Sequence, residues 1–181
     1  MKTPSLVSLC SALLSLTAAP AAELAGSTAE RVGIYDSRIV AFAHFWSAAE
    51  CEKREALTTS AQSAKAAGEQ ARADELVRQI LALQKRSHLQ VFSTAPADEA
   101  MAALHDGLPA IRQELGVVRL ISKWDEAALR DVAEANRIDA TDRLTREFHP
   151  DAKRQKTIRE MKKVKPLPLA EAKKLAEAGK L

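Results

Sequence analysis

Apolar residues recur every three to four positions over most of this chain, which is the spacing of one face of a helix. Residues 38–67 contain neither Pro nor Gly, and their pattern predicts one long helix that ends at Gly68. Residues 69–91 keep the same spacing and predict a second helix. The two helices together predict a hairpin with a narrow seam, because Ala supplies many of the contact positions.

Two short segments depart from the helical pattern and predict strands. Residues 31–35 place Val32 and Ile34 on one face, and residues 117–122 form a run rich in Val, Leu and Ile. A helical hairpin that leaves one strand and returns to the other allows the two strands to be neighbours in one sheet. Residues 126–135 fit either a short helix or a third strand.

The remaining segments predict shorter helices with recognisable ends. A helix restarts near Pro96 and runs to Leu115, with a kink expected at residues 107–109 (Gly-Leu-Pro). Further helices are predicted over residues 142–148, 151–163 and 170–178, with an extended break over residues 166–169. We expect Ser37 and Thr141 to act as helix N-caps, with Asp36 and Asp139 as neighbouring candidates.

Composition narrows the fold class. Of 181 residues 46% are hydrophobic, which excludes disorder throughout, but only 4% are aromatic and six are Gly. A β-sandwich or barrel built from one chain needs many β-branched and aromatic residues and many turns, so it is excluded as well. The predicted fold class is mainly α with a small β body, that is, α+β.

The N-terminus has the features of an export signal. Lys2 precedes an apolar stretch over residues 6–16 and an Ala-rich stretch, so residues 1–21 are predicted to be a cleaved signal peptide, with an uncleaved anchor as the alternative. Export would place the protein in the periplasm or outside the cell. The mature chain would keep one cysteine, Cys51, which is either a half-buried thiol or a contact between copies.

Charge divides the mature chain into a domain over residues 22–148 and a basic helical extension over residues 149–181. Residues 22–149 carry 16 Lys and Arg against 20 Asp and Glu, whereas residues 150–181 carry 10 against 4. The basic extension is either a solvated helix face or a surface that binds an anionic membrane or cell-wall polymer. No nucleic-acid partner is expected.

Three segments in order resemble the periplasmic chaperone family Skp, also called OmpH-like. They are residues 32–37 (Val-Gly-Ile-Tyr-Asp-Ser), residues 116–121 (Gly-Val-Val-Arg-Leu-Ile) and residues 138–144 (Ile-Asp-Ala-Thr-Asp-Arg-Leu). The resemblance spans residues 30–148. It implies a homotrimer whose strands close into an inter-subunit barrel and whose hairpins, here about residues 37–115, hold unfolded outer-membrane proteins without nucleotide or another cofactor.

The resemblance assigns residues to two roles. The body and oligomer core would contain Val32, Ile34, Phe42, Phe45, Trp46, Val118, Leu120 and Trp124. The client-binding arm would present Leu57, Leu76, Val77, Ile80 and Leu83. Trp124 either seals the end of the barrel or contacts the client. The sequence departs from that family in two ways. The hairpin is shorter than the arms of that family, and it lacks a large excess of positive charge.

No constellation of residues predicts catalysis, so the protein is expected not to be an enzyme. The four His residues do not pair at metal-ligand spacing, and neither a Gly-rich phosphate loop nor a nucleophile elbow occurs. Residues 149–151 (His-Pro-Asp) match the tripeptide of J-domain co-chaperones, but a helix stopped by Pro150 and restarted at Asp151 explains them. The leading hypothesis is an ATP-independent holdase of the cell envelope. The alternative is a tether that docks through its basic C-terminal tail.

Overall fold

The computed structural model describes residues 30–181, so the predicted signal peptide lies outside the described part of the chain. Within residues 30–181 the helices are α1 (Ser37–Phe45), α2 (Ala48–Ala66), α3 (Gln70–Phe92), α4 (Asp98–Ala103), α5 (Leu108–Leu115), α6 (Glu126–Leu129), α7 (Thr141–Arg146), α8 (Ala152–Met161) and α9 (Leu169–Glu177). None of these helices is both long enough and apolar enough to cross a membrane.

The β structure is one small parallel sheet. Its strands β1 (Val32–Tyr35), β2 (Arg119–Ser122) and β3 (Arg137–Asp139) stand in the order β2-β1-β3. Residue Ile34 pairs with Ile121 on one side and with Asp139 on the other. The predicted fold class is confirmed at this level, since the structure is 64% helical with a small three-stranded sheet.

Two predicted helices are each divided in the structure. The helix expected over residues 38–67 stops at Trp46 and restarts at Ala48, because the Ser47 side chain accepts a hydrogen bond from the Glu50 backbone N–H and caps α2. The helix expected up to Leu115 is interrupted between α4 and α5. The second interruption lies at the predicted Gly-Leu-Pro kink, and Pro109 falls in the first turn of α5.

The third strand was not predicted as such. The sequence pattern predicts no strand over Arg137–Asp139, whereas its backbone pairs with β1 from Val32 to Ile34. The undecided segment over residues 126–135 forms α6 and leads into a 3₁₀ turn at Glu134–Asn136. A three-residue strand is too short to show the alternating pattern of a strand in its sequence. Pairing with β1, rather than its own residue pattern, determines its strand conformation.

The two faces of the sheet carry separate apolar cores. On one face helices bury the residues Tyr35, Val40, Ala41, Ala97, Ala100, Leu104, Ile111, Ala140 and Leu144. On the other face Val32 and Ile121 pack against Leu129 and Val132. On the face of the sheet that the helices cover, Gly33 packs closely against the neighbouring strand. A Cβ at this position would lie 2.6 Å from Leu120 Cδ2. The connection from β1 to β2 therefore covers one face, and the connection from β2 to β3 covers the other.

The C-terminal segment packs onto the same body. Ile158 of α8 is buried in a third cluster with Ile39 and Ala43 of α1. The extended stretch before α9 runs beside the end of α3, where the Thr94 N–H donates to the Leu167 carbonyl over 3.0 Å. The basic segment that stands apart by charge is thus held by apolar contacts and backbone hydrogen bonds.

Candidate functional site

Small residues fill the interface between α2 and α3, and larger apolar residues of this hairpin are left partly or largely exposed. Ala61, Ala64 and Ala73 are buried in its seam. Of the predicted client-binding residues, Leu57, Leu76, Ile80 and Leu83 are half-buried and Val77 is 46% exposed. Leu81, which the prediction did not include, is 57% exposed one helical turn after Val77. Val77 and Leu81 therefore form an apolar strip on the outer side of α3.

Three ion pairs lie along the helices of the hairpin. Lys53 donates to Glu50, Arg72 to Glu69 and Arg78 to Glu75, each at a spacing of three residues. These exposed pairs contribute little to stability. Residues 48–92 carry seven Lys and Arg against six Asp and Glu, so the apolar strip lies on an arm without a large positive excess. At about 1.5 Å per residue, α2 is about 28 Å long and α3 about 34 Å long, and α2 is shorter than the helix predicted over residues 38–67.

The predicted body residues are split between the two sheet faces and the outside. Val32 and Ile34 belong to the cluster that packs against α6, whereas Leu120 packs against the helical core. Val118 precedes β2 and is 49% exposed. These four residues of the predicted body and oligomer core thus lie in three environments within a single chain.

The predicted core aromatics at the end of α1 lie at its corner with α2, and Trp46 is 41% exposed. Phe45 and Trp46 have ring centroids 5.4 Å apart, and Phe42 lies 6.4 Å from Trp46. The guanidinium of Arg54 stands 3.9 Å from the Phe45 ring, and that of Arg154 stands 5.4 Å from the Trp46 ring. These cation–π contacts join α1 to α2 and to α8.

A buried ionic cluster stands at the carboxyl ends of the three strands. Asp36 follows β1 and is 1% exposed. Its Oδ2 accepts from Arg38 Nη2 over 2.9 Å and from Lys123 Nζ over 2.5 Å. Its Oδ1 accepts from Arg38 Nε over 3.2 Å and from Trp124 Nε1 over 3.3 Å. Because parallel strands end at the same edge, residues far apart in sequence meet at this carboxylate.

Both predicted helix caps need correction. The N-cap of α1 is Asp36, whose Oδ1 accepts from the Arg38 N–H, because Ser37 is already the first helical residue. Ser37 instead donates its hydroxyl to the Ala95 carbonyl over 2.8 Å. Thr141 begins α7 and accepts from the Asp36 N–H over 3.0 Å, while its own N–H donates to Asp139 Oδ1. Asp36 thus caps α1, whereas the N-cap position of α7 is Ala140 and no side chain in the described range caps that helix.

The edge of the sheet also borders a cavity of about 380 Å³. It is lined by Ile34, Asp36, Lys123, Glu134, Arg137, Asp139, Thr141 and Lys162. Both oxygens of Asp36 already accept hydrogen bonds from within the protein, so its carboxylate is not a free base. The cluster is therefore best described as a junction that binds β1, β2 and the α1 N-terminus together.

Acid should weaken this junction before it unfolds the rest of the molecule. Burial alone would raise the pKa of Asp36, but hydrogen bonds from Arg38 and Lys123 outweigh it and lower the pKa below the ordinary 3.8. The unfolded state therefore binds more protons below about pH 4, so stability from Asp36 is present above that pH and is lost as the pH falls through the lowered value. We expect the difference in unfolding free energy between the wild type and Asp36→Asn to shrink below pH 4 in urea titrations. A difference that is constant down to pH 3 would contradict this assignment.

The other candidate motifs form no reactive site in residues 30–181. No group of three or more His, Cys, Asp and Glu residues could hold a metal ion there. Cys51 is half-buried and its Sγ lies 3.3 Å from Arg54 Nη2. In the His-Pro-Asp tripeptide, Asp151 caps α8 by accepting from the Arg154 N–H over 2.8 Å, as expected for a helix that restarts after Pro150.

Comparison with family models, with curated proteins and with solved structures finds no match for this chain. The likeness to the Skp family therefore rests on three segments and their order along the sequence, and its functional consequences are proposals.

Proposed function

We propose that this protein is an exported, ATP-independent holdase that binds unfolded envelope proteins and performs no catalysis. The observation that carries the proposal is the apolar strip on α3, where Val77 and Leu81 are exposed one turn apart. An exposed apolar strip on a helix offers contacts to unfolded chains without requiring a defined client sequence. The resemblance to the Skp family supports the same function.

We also propose that several copies of the protein form a symmetric assembly. Within residues 30–181, β2 and β3 each pair only with β1, so each leaves one edge without a partner. Such edges invite strand pairing with another chain, and closure of several copies into a barrel removes them. We therefore expect a homotrimer joined through the sheets, with the hairpins directed away from the joint. A stable monomer at micromolar concentration in sedimentation would rule out the trimer.

Exchanging the apolar strip for polar residues should weaken client binding without unfolding the protein. Burying a Val or Leu side chain contributes about 1.5–3 kcal/mol, and these two are already partly covered, so the Val77→Ser/Leu81→Ser variant should lose about 2 kcal/mol of binding. This loss corresponds to roughly 30-fold weaker suppression of the aggregation of a denatured β-barrel membrane protein.

The control is Val164→Ser, which removes an exposed apolar side chain outside the hairpin and outside the sheet. It should suppress aggregation as well as the wild type does. Equal loss in both variants would assign the activity to general hydrophobicity, and no loss in either would remove α3 as the binding surface.

A second candidate function is a tether between the protein and an anionic envelope surface. Lys153 and Lys156 on α8 are exposed and form no ion pair with any described residue. Deleting the tail is a poor test because α8 is part of the core. Lys153→Gln/Lys156→Gln should instead reduce salt-sensitive binding to anionic vesicles or cell-wall polymer if the tether is correct.

A further inference from the structure

A charged cleft lies between α7 and α8, away from the hairpin. Its volume is about 1140 Å³, and it is bordered by both helices and by the connection at His149 and Pro150. His149 has a φ of 49°, in the left-handed region, which turns the chain sharply between the two helices. The Gln155 side chain fixes this turn by donating to the Pro150 carbonyl over 2.9 Å. The cleft is thus shaped by ordered backbone at one end.

The carboxylates that line the cleft are already paired. Arg143 binds Glu114 over 2.7 Å and also binds Glu147. Lys162 binds Asp142 over 2.6 Å. Two basic residues therefore serve all three acidic residues of the lining.

Two further arginines in the lining have no such partner. Arg146 is the last residue of α7, and Arg159 lies in the third turn of α8. Both are exposed, and neither side chain forms an ion pair or a hydrogen bond with another residue in the described range 30–181. Because the acidic residues are paired with others, these guanidinium groups give the cleft a local excess of positive charge.

An excess of guanidinium groups in a cleft is suited to phosphate. The planar fork of N–H donors matches two oxygens of one phosphate, and charge-assisted hydrogen bonds of this kind are about twice as strong as neutral ones. We propose that the cleft between α7 and α8 binds a phosphate group through Arg146 and Arg159. This proposal does not depend on the holdase, because the cleft shares no residue with the apolar strip on α3.

The proposal is tested by titrating the full-length mature protein with inorganic phosphate and with pyrophosphate at low ionic strength. Each charged hydrogen-bonding partner should change affinity by about tenfold or more, so Arg146→Gln/Arg159→Gln should bind about a hundredfold more weakly than the wild type. The matched control Lys65→Gln/Lys85→Gln removes the same charge from exposed positions on the hairpin, outside the cleft, and should stay within about threefold of the wild type. Arg146→Lys/Arg159→Lys keeps the charge without the fork and should lose about tenfold.

Vesicles distinguish the two sources of the phosphate. If vesicles of phosphatidylglycerol bind the wild type but not Arg146→Gln/Arg159→Gln, the ligand is a lipid headgroup. If the protein binds pyrophosphate but not vesicles, the ligand is a free phosphate compound. The proposal is overturned if the wild type binds neither probe, or if the Gln variants of the cleft and of the hairpin lysines weaken binding equally. A Gln variant that unfolds is replaced by the Lys variant, for which unchanged affinity overturns the proposal.

Discussion

Replacing Arg38 by Met is expected to lower the free energy of unfolding by about 3–5 kcal/mol. Arg38 is 4% exposed, and its guanidinium donates to both oxygens of Asp36 and to the Val164 carbonyl. It also stands 5.2 Å from the centre of the Trp124 ring. Its removal leaves a buried carboxylate with Lys123 as its one remaining cationic partner and frees a carbonyl of the C-terminal segment. Loss of a buried charge partner costs more than the pair itself contributes, which is why the effect is large.

The measurement is urea unfolding at pH 7, with two comparisons. Arg78→Met removes a surface pair with Glu75 and should cost less than about 1 kcal/mol. Asp36→Asn/Arg38→Met should cost less than the sum of its single substitutions, because the two side chains contact each other. If Arg38→Met is no more destabilising than Arg78→Met, the cluster at the sheet edge is not a structural junction.

The sequence predicts the elements whose own residues carry a long or alternating pattern. Residues 69–91 show helical spacing over six turns, and α3 occupies nearly that range. Residues 31–35 alternate around Gly33, and β1 occupies four of those five positions. The break after Trp46 was missed because neither Pro nor Gly marks it. Ser47 was the available signal, since Ser followed three residues later by Glu is a helix-start pattern.

The ionic cluster could not be predicted, because its partners are distant in the chain. The sequence identifies Asp36 as a candidate cap, which it is, but Trp124 lies 88 residues and Val164 lies 126 residues from the groups they contact. Only the parallel arrangement of β1 and β2 brings Lys123 to Asp36. A local sequence pattern predicts which residues form a helix or a strand. It does not predict which strand ends will be neighbours in the sheet.

Because a local pattern does not show long-range contacts, the sequence predicts the C-terminal segment as an extension separate from the preceding domain. Its excess of Lys and Arg dominates the composition of residues 150–181. A single Ile at one helical position is too weak a pattern to predict a buried face. Ile158 is nevertheless buried among Ile39, Ala43 and Phe42 of α1. A basic surface and a docked inner face are compatible on one amphipathic helix.

Ile158→Ala is therefore expected to lower the free energy of unfolding of the whole protein by about 2–5 kcal/mol. The cost combines the lost burial of three carbon atoms with the cavity left against α1. Val164→Ala is the control, since Val164 is 63% exposed and should change stability by no more than about 0.5 kcal/mol. Urea unfolding followed by fluorescence of Trp46, which stacks with Arg154 of α8, reports on this junction once Trp124 is replaced by Phe in every variant. If residues 150–181 fold as an independent appendage, Ile158→Ala will leave the main unfolding transition where it is in the control.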